Sequence, residues 1–241
     1  MMKVAVTGAA GYLGRALVPV LERSHEVFAF DCVASVDRAD GLDEDDCRRI
    51  CTGMDAVVHL AHAGWDSELS AADNEARILD ARLKGTDTLL RAAREAEITR
   101  VVQVSDLCIL DGYDDNLLVS EDFLPLPDTS AHQQAVYLSE LIGREHTREV
   151  RGLVLTLRLG KIVEAGKLAA EAEYHPAWLD LQDAVRAIEQ GLAIERYDYP
   201  DHWGLYNIAA DVEERRYSLI KWRNGAMAFE LSEDFAAWRS T

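Results

Sequence analysis

Apolar positions along the chain alternate between two patterns. Short, nearly continuous apolar runs read as strands: Lys3–Thr7, His25–Asp31, Ala56–Leu60, Arg100–Ser105, Leu153–Leu157 and a last short one, Leu205–Ile208. Between them lie stretches of helical period: about Tyr12 to Arg23, an acidic one over about Asp43–Thr52, the stretch around Ala131–Val150, and Ala184–Ile194. The longest runs from roughly Ser70 to Ala96, with Ile78, Leu79, Leu83, Leu89 and Leu90 on one stripe. Strand and helix in strict alternation predict a parallel sheet with helices on both faces. Strands buried on both faces lose the every-second-residue alternation and become continuously apolar, as Val101-Val102 and Leu153-Val154-Leu155 do. The expected fold is a doubly wound α/β domain.

The 241 residues suffice for one large domain, and the 49% apolar, 28% charged composition is that of a globular chain. A net charge of −18 argues against nucleic acid and against anionic membrane surfaces, both of which need clustered Lys and Arg. No apolar run approaches the roughly 18 residues that span a bilayer. The N-terminus passes straight into a strand without a charged-then-apolar leader, so the expected compartment is the cytoplasm. Cys32, Cys47, Cys51 and Cys108 then read as reduced structural thiols. Cys47 and Cys51 share a helix face but have no second ligand pair. His132, His146, His175 and His202 are scattered without metal-ligand spacing, and no metal is expected.

The sharpest local signal is Thr7-Gly8-Ala9-Ala10-Gly11-Tyr12-Leu13-Gly14, which leaves the first strand and opens the first helix. Gly8 permits the tight turn, Gly11 lets a pyrophosphate approach the backbone, and Gly14 lets helix and strand pack closely. The helix N-terminus offers unpaired N–H groups and its positive dipole end to the phosphates. Asp31 ends the second strand, where a carboxylate accepts the adenosine ribose hydroxyls and repels a 2′-phosphate. The reading is a dinucleotide site preferring NAD to NADP, with Gly8, Gly11, Tyr12, Leu13, Gly14, Asp31 and Cys32 against the cofactor. Residues 1–157 form the NAD-binding core; residues 158–241 add the remaining strands and a small substrate-side region within one structural unit.

With these residues in place, the sequence resembles the extended short-chain dehydrogenase/reductase family, the NAD-dependent epimerase/dehydratases. The likeness runs on through Asp40-Gly41-Leu42-Asp43, Met54–Ala61, Gly85-Thr86 with Leu89-Leu90, Arg158, Asp183–Ala187 and Tyr206–Ala209. It implies that Asp40, Gly41, Leu60, Ala61 and His62 also face the cofactor. The compact C-terminal part resembles shorter members such as uronate dehydrogenases. A homodimer built from the helices over Ser70–Ala96 and Ala131–Val150, and a sugar or sugar acid as substrate, are likewise what the resemblance implies.

The family's chemistry uses a Tyr and a Lys four apart on the helix after strand five, with a Ser or Thr after that strand. Lys lowers the Tyr pKa, so the phenolate can take a proton from a substrate hydroxyl while NAD accepts hydride. This chain departs from the pattern. Tyr137 is followed four residues on by Leu141, and aligning Ser139 and Gly143 with the family puts Val136 and Glu140 at the dyad positions. After strand five stands Ser105-Asp106-Leu107-Cys108, and Arg82 replaces a supporting Asn. Tyr217-Ser218-Leu219-Ile220-Lys221 has the bare spacing, but it follows the last strand and reads as an accidental match.

Ser105, Asp106 and Tyr137 are therefore the catalytic candidates for a reassigned proton relay. His62 either acts as an acid or base or simply lines the pocket; His59 is a strand-end residue. Glu171–Trp178 is expected to cover the substrate side, and Arg215 and Arg216 are candidates for a carboxylate. Two function classes stay open: an NAD-dependent oxidoreductase or epimerase with an atypical relay, and an NAD-binding regulatory or scaffold protein, or non-redox enzyme, reusing the pocket.

Overall fold

The computed structural model describes residues 1–33, 35–149, 152–194, 202–212, 216–224 and 229–239. In chain order its elements are β1 (Lys3–Thr7), α1 (Tyr12–Leu21), β2 (Glu26–Asp31), β3 (Asp37–Arg38), α2 (Glu44–Cys51), β4 (Ala56–His59) and α3 (Ala71–Leu79). Then come α4 (Gly85–Glu95), β5 (Arg100–Asp106), α5 (Ala131–His146), β6 (Leu153–Leu159), β7 (Lys161–Val163), β8 (Trp178–Asp180), α6 (Leu181–Ala193), β9 (Trp203–Ile208), α7 (Ile220–Asn224) and α8 (Ala236–Arg239).

Seven strands form one parallel sheet in the order β3-β2-β1-β4-β5-β6-β9, and β7 and β8 make a separate parallel pair. This is the expected doubly wound arrangement, with strand order reversing between β1 and β4. Ligands of such sheets sit beyond the carboxyl ends of the strands at that reversal. The register brings the ends together: Thr7 pairs with Phe30 on one side and His59 on the other, and Ser105 pairs with Arg158. Gly8, Asp31, Leu60 and Asp106 thus leave the sheet along one edge.

Alternate residues of each strand feed two cores. Val4, Val6 and Val58 pack with Leu17 and Leu21 of α1 and Ile188 and Leu192 of α6. Ala5, Val57 and Val101 pack on the other face with Cys47 and Ile50 of α2 and Leu89 and Leu90 of α4. Burial on both faces is why the strands read as continuous apolar runs.

The long helix expected over Ser70–Ala96 is interrupted. A π-helical turn, Asp80–Lys84, separates α3 from α4 without breaking the path of the chain. One extra residue per turn shifts the helix face at that point, and such turns often mark functional sites. Helix α6 starts at Leu181 rather than Ala184, because the Asp180 side chain accepts the Gln182 N–H and caps it. Strands β3, β7 and β8 and helices α7 and α8 are too short to show a period. Val150, at the expected end of α5, lies outside the described residues, as does Arg215. The C-terminal segment folds back: Trp178 stacks against Tyr174, Phe235 and Trp238, and buried Asp183 accepts the Ser232 N–H.

Candidate functional site

Gly8 sits at φ +73°, a conformation that L side chains rarely adopt, and a Cβ there would stand 2.8 Å from the Leu60–Ala61 backbone. A Cβ on Gly14 would come within 2.5 Å of the Gly8 carbonyl oxygen. The loop can therefore be built only with glycine at these two places, and it brings α1 hard against β1. Four other helices open on a side-chain cap: Asp43 for α2, Ser70 for α3, Ser130 for α5 and Asp180 for α6. Helix α1 opens on Gly11 with no such cap. Its first N–H groups stay available to an anion, as a pyrophosphate cradle requires. Asp31 faces this loop and accepts the Ala10 N–H at 3.0 Å and the Cys32 thiol at 3.3 Å.

Two cavities meet here, of about 440 and 610 Å³, sharing Gly8, Asp31, His62 and Gly64. The first runs past Cys32, Asp40, Gly41 and Ala61, the second past Gly11, Tyr12, Leu13, Gly14 and Leu60. Every residue expected against the cofactor lines one or the other. The volumes and the glycine cradle fit a dinucleotide. Tyr12 donates to Glu164 at 2.9 Å, tying the glycine loop to the chain just after β7.

At the β5 end the same larger cavity is lined by Ser105, Asp106, Arg82 and His132. Beneath them lies a buried ion pair. Arg158 donates from Nε and Nη2 to the two oxygens of Glu140 at 2.8 and 2.7 Å, both side chains being 2% exposed. Ser105 Oγ donates to Glu140 Oε1 at 2.5 Å. Glu140, which alignment with the family pattern puts at the Lys position, is thus held by an arginine and used as an acceptor. Val136, at the Tyr position, is fully buried in an apolar cluster with Leu107, Ile109 and Leu110. Tyr137 is half-buried against that cluster and is not among the residues lining the cavity. Tyr217 is buried in the same cluster and donates to Asp111 at 3.1 Å.

Arg82 lies in the π turn and reaches β5, donating from Nη1 to the Val104 carbonyl at 3.1 Å while its buried Nε has no protein partner. Desolvation lowers its pKa, and the charges of Asp106, Cys108 and Glu140 act the other way. His132, one turn before Val136 on the same face of α5, was not singled out by its sequence context. The fold nonetheless brings one ligand atom each from Asp106, Cys108 and His132 within 4.8 Å of one another. Burial, followed by Asp106, pushes the Cys108 thiol up. The Glu140–Arg158 pair did have a sequence signal: Arg158 is the one charge in the strand Leu-Val-Leu-Thr-Leu-Arg-Leu, and a buried charge needs a partner.

The two sequence-neighbouring histidines have different surroundings. His59 is buried between Thr7 Oγ1 at 2.8 Å and Thr86 Oγ1 at 3.0 Å, and desolvation, then the charges of Arg82 and His62, push its pKa down to about 3. It is a neutral structural imidazole. His62 fixes Nδ1 on the Leu60 carbonyl at 3.0 Å and is exposed to both cavities. Arg216 is buried and donates to the Tyr113 carbonyl at 2.6 Å.

Comparison with known proteins gives the family and supports the fold. The chain is 29% identical to the L-arabinose 1-dehydrogenase (NAD(P)(+)) of Haloferax volcanii, over 92% of this chain and 93% of that protein. Its fold superposes on glucuronic acid dehydrogenase from Chromohalobacter salexigens with a TM-score of 0.80 at 20% identity, covering 100% of this chain and 88% of that one. The UDP-N-acetylglucosamine 4-epimerase of Bacillus cereus gives 0.76 at 20% identity, over 99% and 97%. Residues 4–172, which carry the glycine loop, Asp31, the β5 end and the Glu140–Arg158 pair, match the NAD dependent epimerase/dehydratase family, and the chain belongs to it.

Proposed function

We propose that the protein is an NAD-linked oxidoreductase or epimerase acting on a sugar or sugar acid, with an atypical proton relay that includes Ser105 and Asp106. The observation that carries this reading is the continuity of the two cavities. One surface leads from Asp31 and the glycine loop to a polar group of Ser105, Asp106, Arg82 and His132 at the end of β5. When bound, NAD supplies a hydride acceptor at that far end. The protein's own part is to hold the substrate hydroxyl there and to take its proton, and Asp106 is the carboxylate placed to do so. Ser105 enters the relay through its hydrogen bond to Glu140.

NAD is preferred to NADP because the Asp31 carboxylate would oppose a 2′-phosphate. The sugar class follows the names of the relatives. The reading assigns a cytoplasmic homodimer, supported by the four free thiols and by a groove between α4 and α5 in which Leu90, Leu138 and Ile142 lie among charged residues such as Asp87, Arg91 and Glu145. No helix among the described residues is long and apolar enough to cross a membrane.

Calorimetric titration of cofactor-stripped protein with NAD, NADH and NADP tests the reading, followed by a turnover screen of aldoses and uronic acids at the NADH absorbance. Binding of NAD(H) with NADP excluded, and reduction of NAD by a sugar, is the expected result. Failure to bind any nucleotide overturns it. Binding without turnover of any sugar leaves an NAD-binding protein, the role to which Val136 and Glu140 in the dyad positions would then belong.

A further inference from the structure

Asp106 closes β5, Cys108 follows two residues later in a 3-10 turn, and His132 lies in the first turn of α5. The sequence gives no hint that they meet, since two come from one loop and the third from a distant helix. Their ligand atoms, a carboxylate oxygen, a sulfur and an imidazole nitrogen, all lie within 4.8 Å of one another. Those three donor types are the ones zinc takes in proteins.

From these residues we infer a divalent metal site of the zinc class, held by Asp106, Cys108 and His132, with its fourth position open to the 610 Å³ cavity. Distances of about 2.3 Å to sulfur and about 2.0–2.1 Å to nitrogen and oxygen place tetrahedral ligands roughly 3.3–3.6 Å apart. A contraction of at most about 1.5 Å closes the set. His132 is exposed and lies in the first turn of its helix, so rotation of its side chain can supply that movement. The carboxylate is already oriented: Asp106 Oδ1 accepts the Cys108 N–H at 2.8 Å, and the Cys108 thiol bonds to the same carboxylate with a proton that a metal would replace. The Arg82 guanidinium lies close enough for its charge to oppose a cation. A carboxylate and a thiolate together bring two negative charges, which outweigh it.

Three protein ligands with an open position mark a catalytic rather than a structural zinc site. Here the opening faces the wall that Asp106 and His132 share with Ser105. A cation at that place polarises a hydroxyl group without a Tyr–Lys pair. This use of the site rests on the NAD-linked reading above; with Asp106 a ligand rather than the base, the hydroxyl proton passes to water in the open cavity. The site itself rests only on its three side chains.

Cobalt(II) titration of the chelator-treated full-length protein, read by absorbance, tests the site. One equivalent of Co²⁺ is expected to give a near-ultraviolet sulfur-to-cobalt charge-transfer band with visible bands of tetrahedral intensity, and Zn²⁺ should bleach both. Cys108→Ser is expected to remove the charge-transfer band, and His132→Ala, at an exposed position, to abolish one-to-one binding. An NAD titration on each variant reports whether the fold and the cofactor site survive. A protein that binds NAD but gives no sulfur-to-cobalt band, or a band that persists in Cys108→Ser, overturns the metal site. A band without NAD binding overturns the cofactor reading and leaves the metal site standing.

Discussion

The glycine-loop half of the cleft and its β5 end are built by different means. The first is made of backbone: a glycine at φ +73°, an uncapped helix N-terminus, and one carboxylate at the end of β2. The second is made of long charged side chains from α5, β6 and the π turn. Measured against the family pattern, Glu140 for Lys changes the local charge by two units, and Arg82 for Asn returns one. Arg158 takes up the remaining carboxylate charge with two direct hydrogen bonds. With Asp106 standing where the family has a Ser or Thr, the floor is more negative than the family pattern, and the Glu140 carboxylate is held by Arg158, a residue that the pattern shares. The glycine-loop half thus tolerates little change because sterics fix it, whereas the floor at β5 can be rewritten where each buried charge keeps a partner.

The sharpest break of that balance is Glu140→Gln. It removes the carboxylate and leaves the Arg158 guanidinium buried and unpaired, and one Arg158 nitrogen, Nη1, already lacks a protein partner. Uncompensated buried charge of this kind costs about 3–5 kcal/mol. Chemical denaturation should show that loss at an unchanged m-value. A variant within about 0.5 kcal/mol of the parent would mean that the pair does not hold the floor.

The glycine-loop half answers to a smaller change. Asp31→Asn keeps an acceptor for the Ala10 N–H but removes the charge, and a charge-assisted hydrogen bond contributes about 1.5–3 kcal/mol. NAD affinity should fall by about 10- to 100-fold, while NADP, no longer repelled, should gain relative to it. Calorimetry with both nucleotides measures the ratio; an unmoved ratio would take Asp31 out of the ribose site.

The same division explains what the sequence shows. Gly8, Gly11 and Gly14 with Asp31 are local in the chain or tied to strand ends, so spacing alone placed them, and the strands announced themselves as apolar runs. The π turn did not, because a one-residue slip hardly disturbs the apolar stripe of Ile78, Leu79 and Leu83. Glu140 stood out as a wrong residue at the Lys position, but its bond to Arg158 depends on β6 lying beside β5. His132 was invisible for a similar reason: its neighbours Asp106 and Cys108 come from another element. Contacts between distant side chains have no period, and only the fold reveals them.

The junction of the two halves offers the mildest perturbation, a change of pH. His59 ends β4 and spans them, bonded to Thr7 below the glycine loop and to Thr86 on α4. Its pKa is about 3 in the folded protein against 6.5 for a free imidazole, because burial penalises the charged ring. Between those values the unfolded chain binds a proton that the folded chain refuses. Stability from this group is therefore complete above about pH 6.5 and falls as pH drops, by about 1.4 kcal/mol per unit. His62 and His146 are shifted in the same direction, so the parent slope alone does not isolate His59. His59→Gln does: Gln carries a donor and an acceptor but no titrating ring. Its urea-unfolding free energy should vary less between pH 7 and pH 5 than the parent's, and the two curves should converge as the pH is lowered. Parallel curves would show that His59 can take up a proton in place, and that the edge of the sheet between cofactor cradle and catalytic floor is wetter than its burial implies.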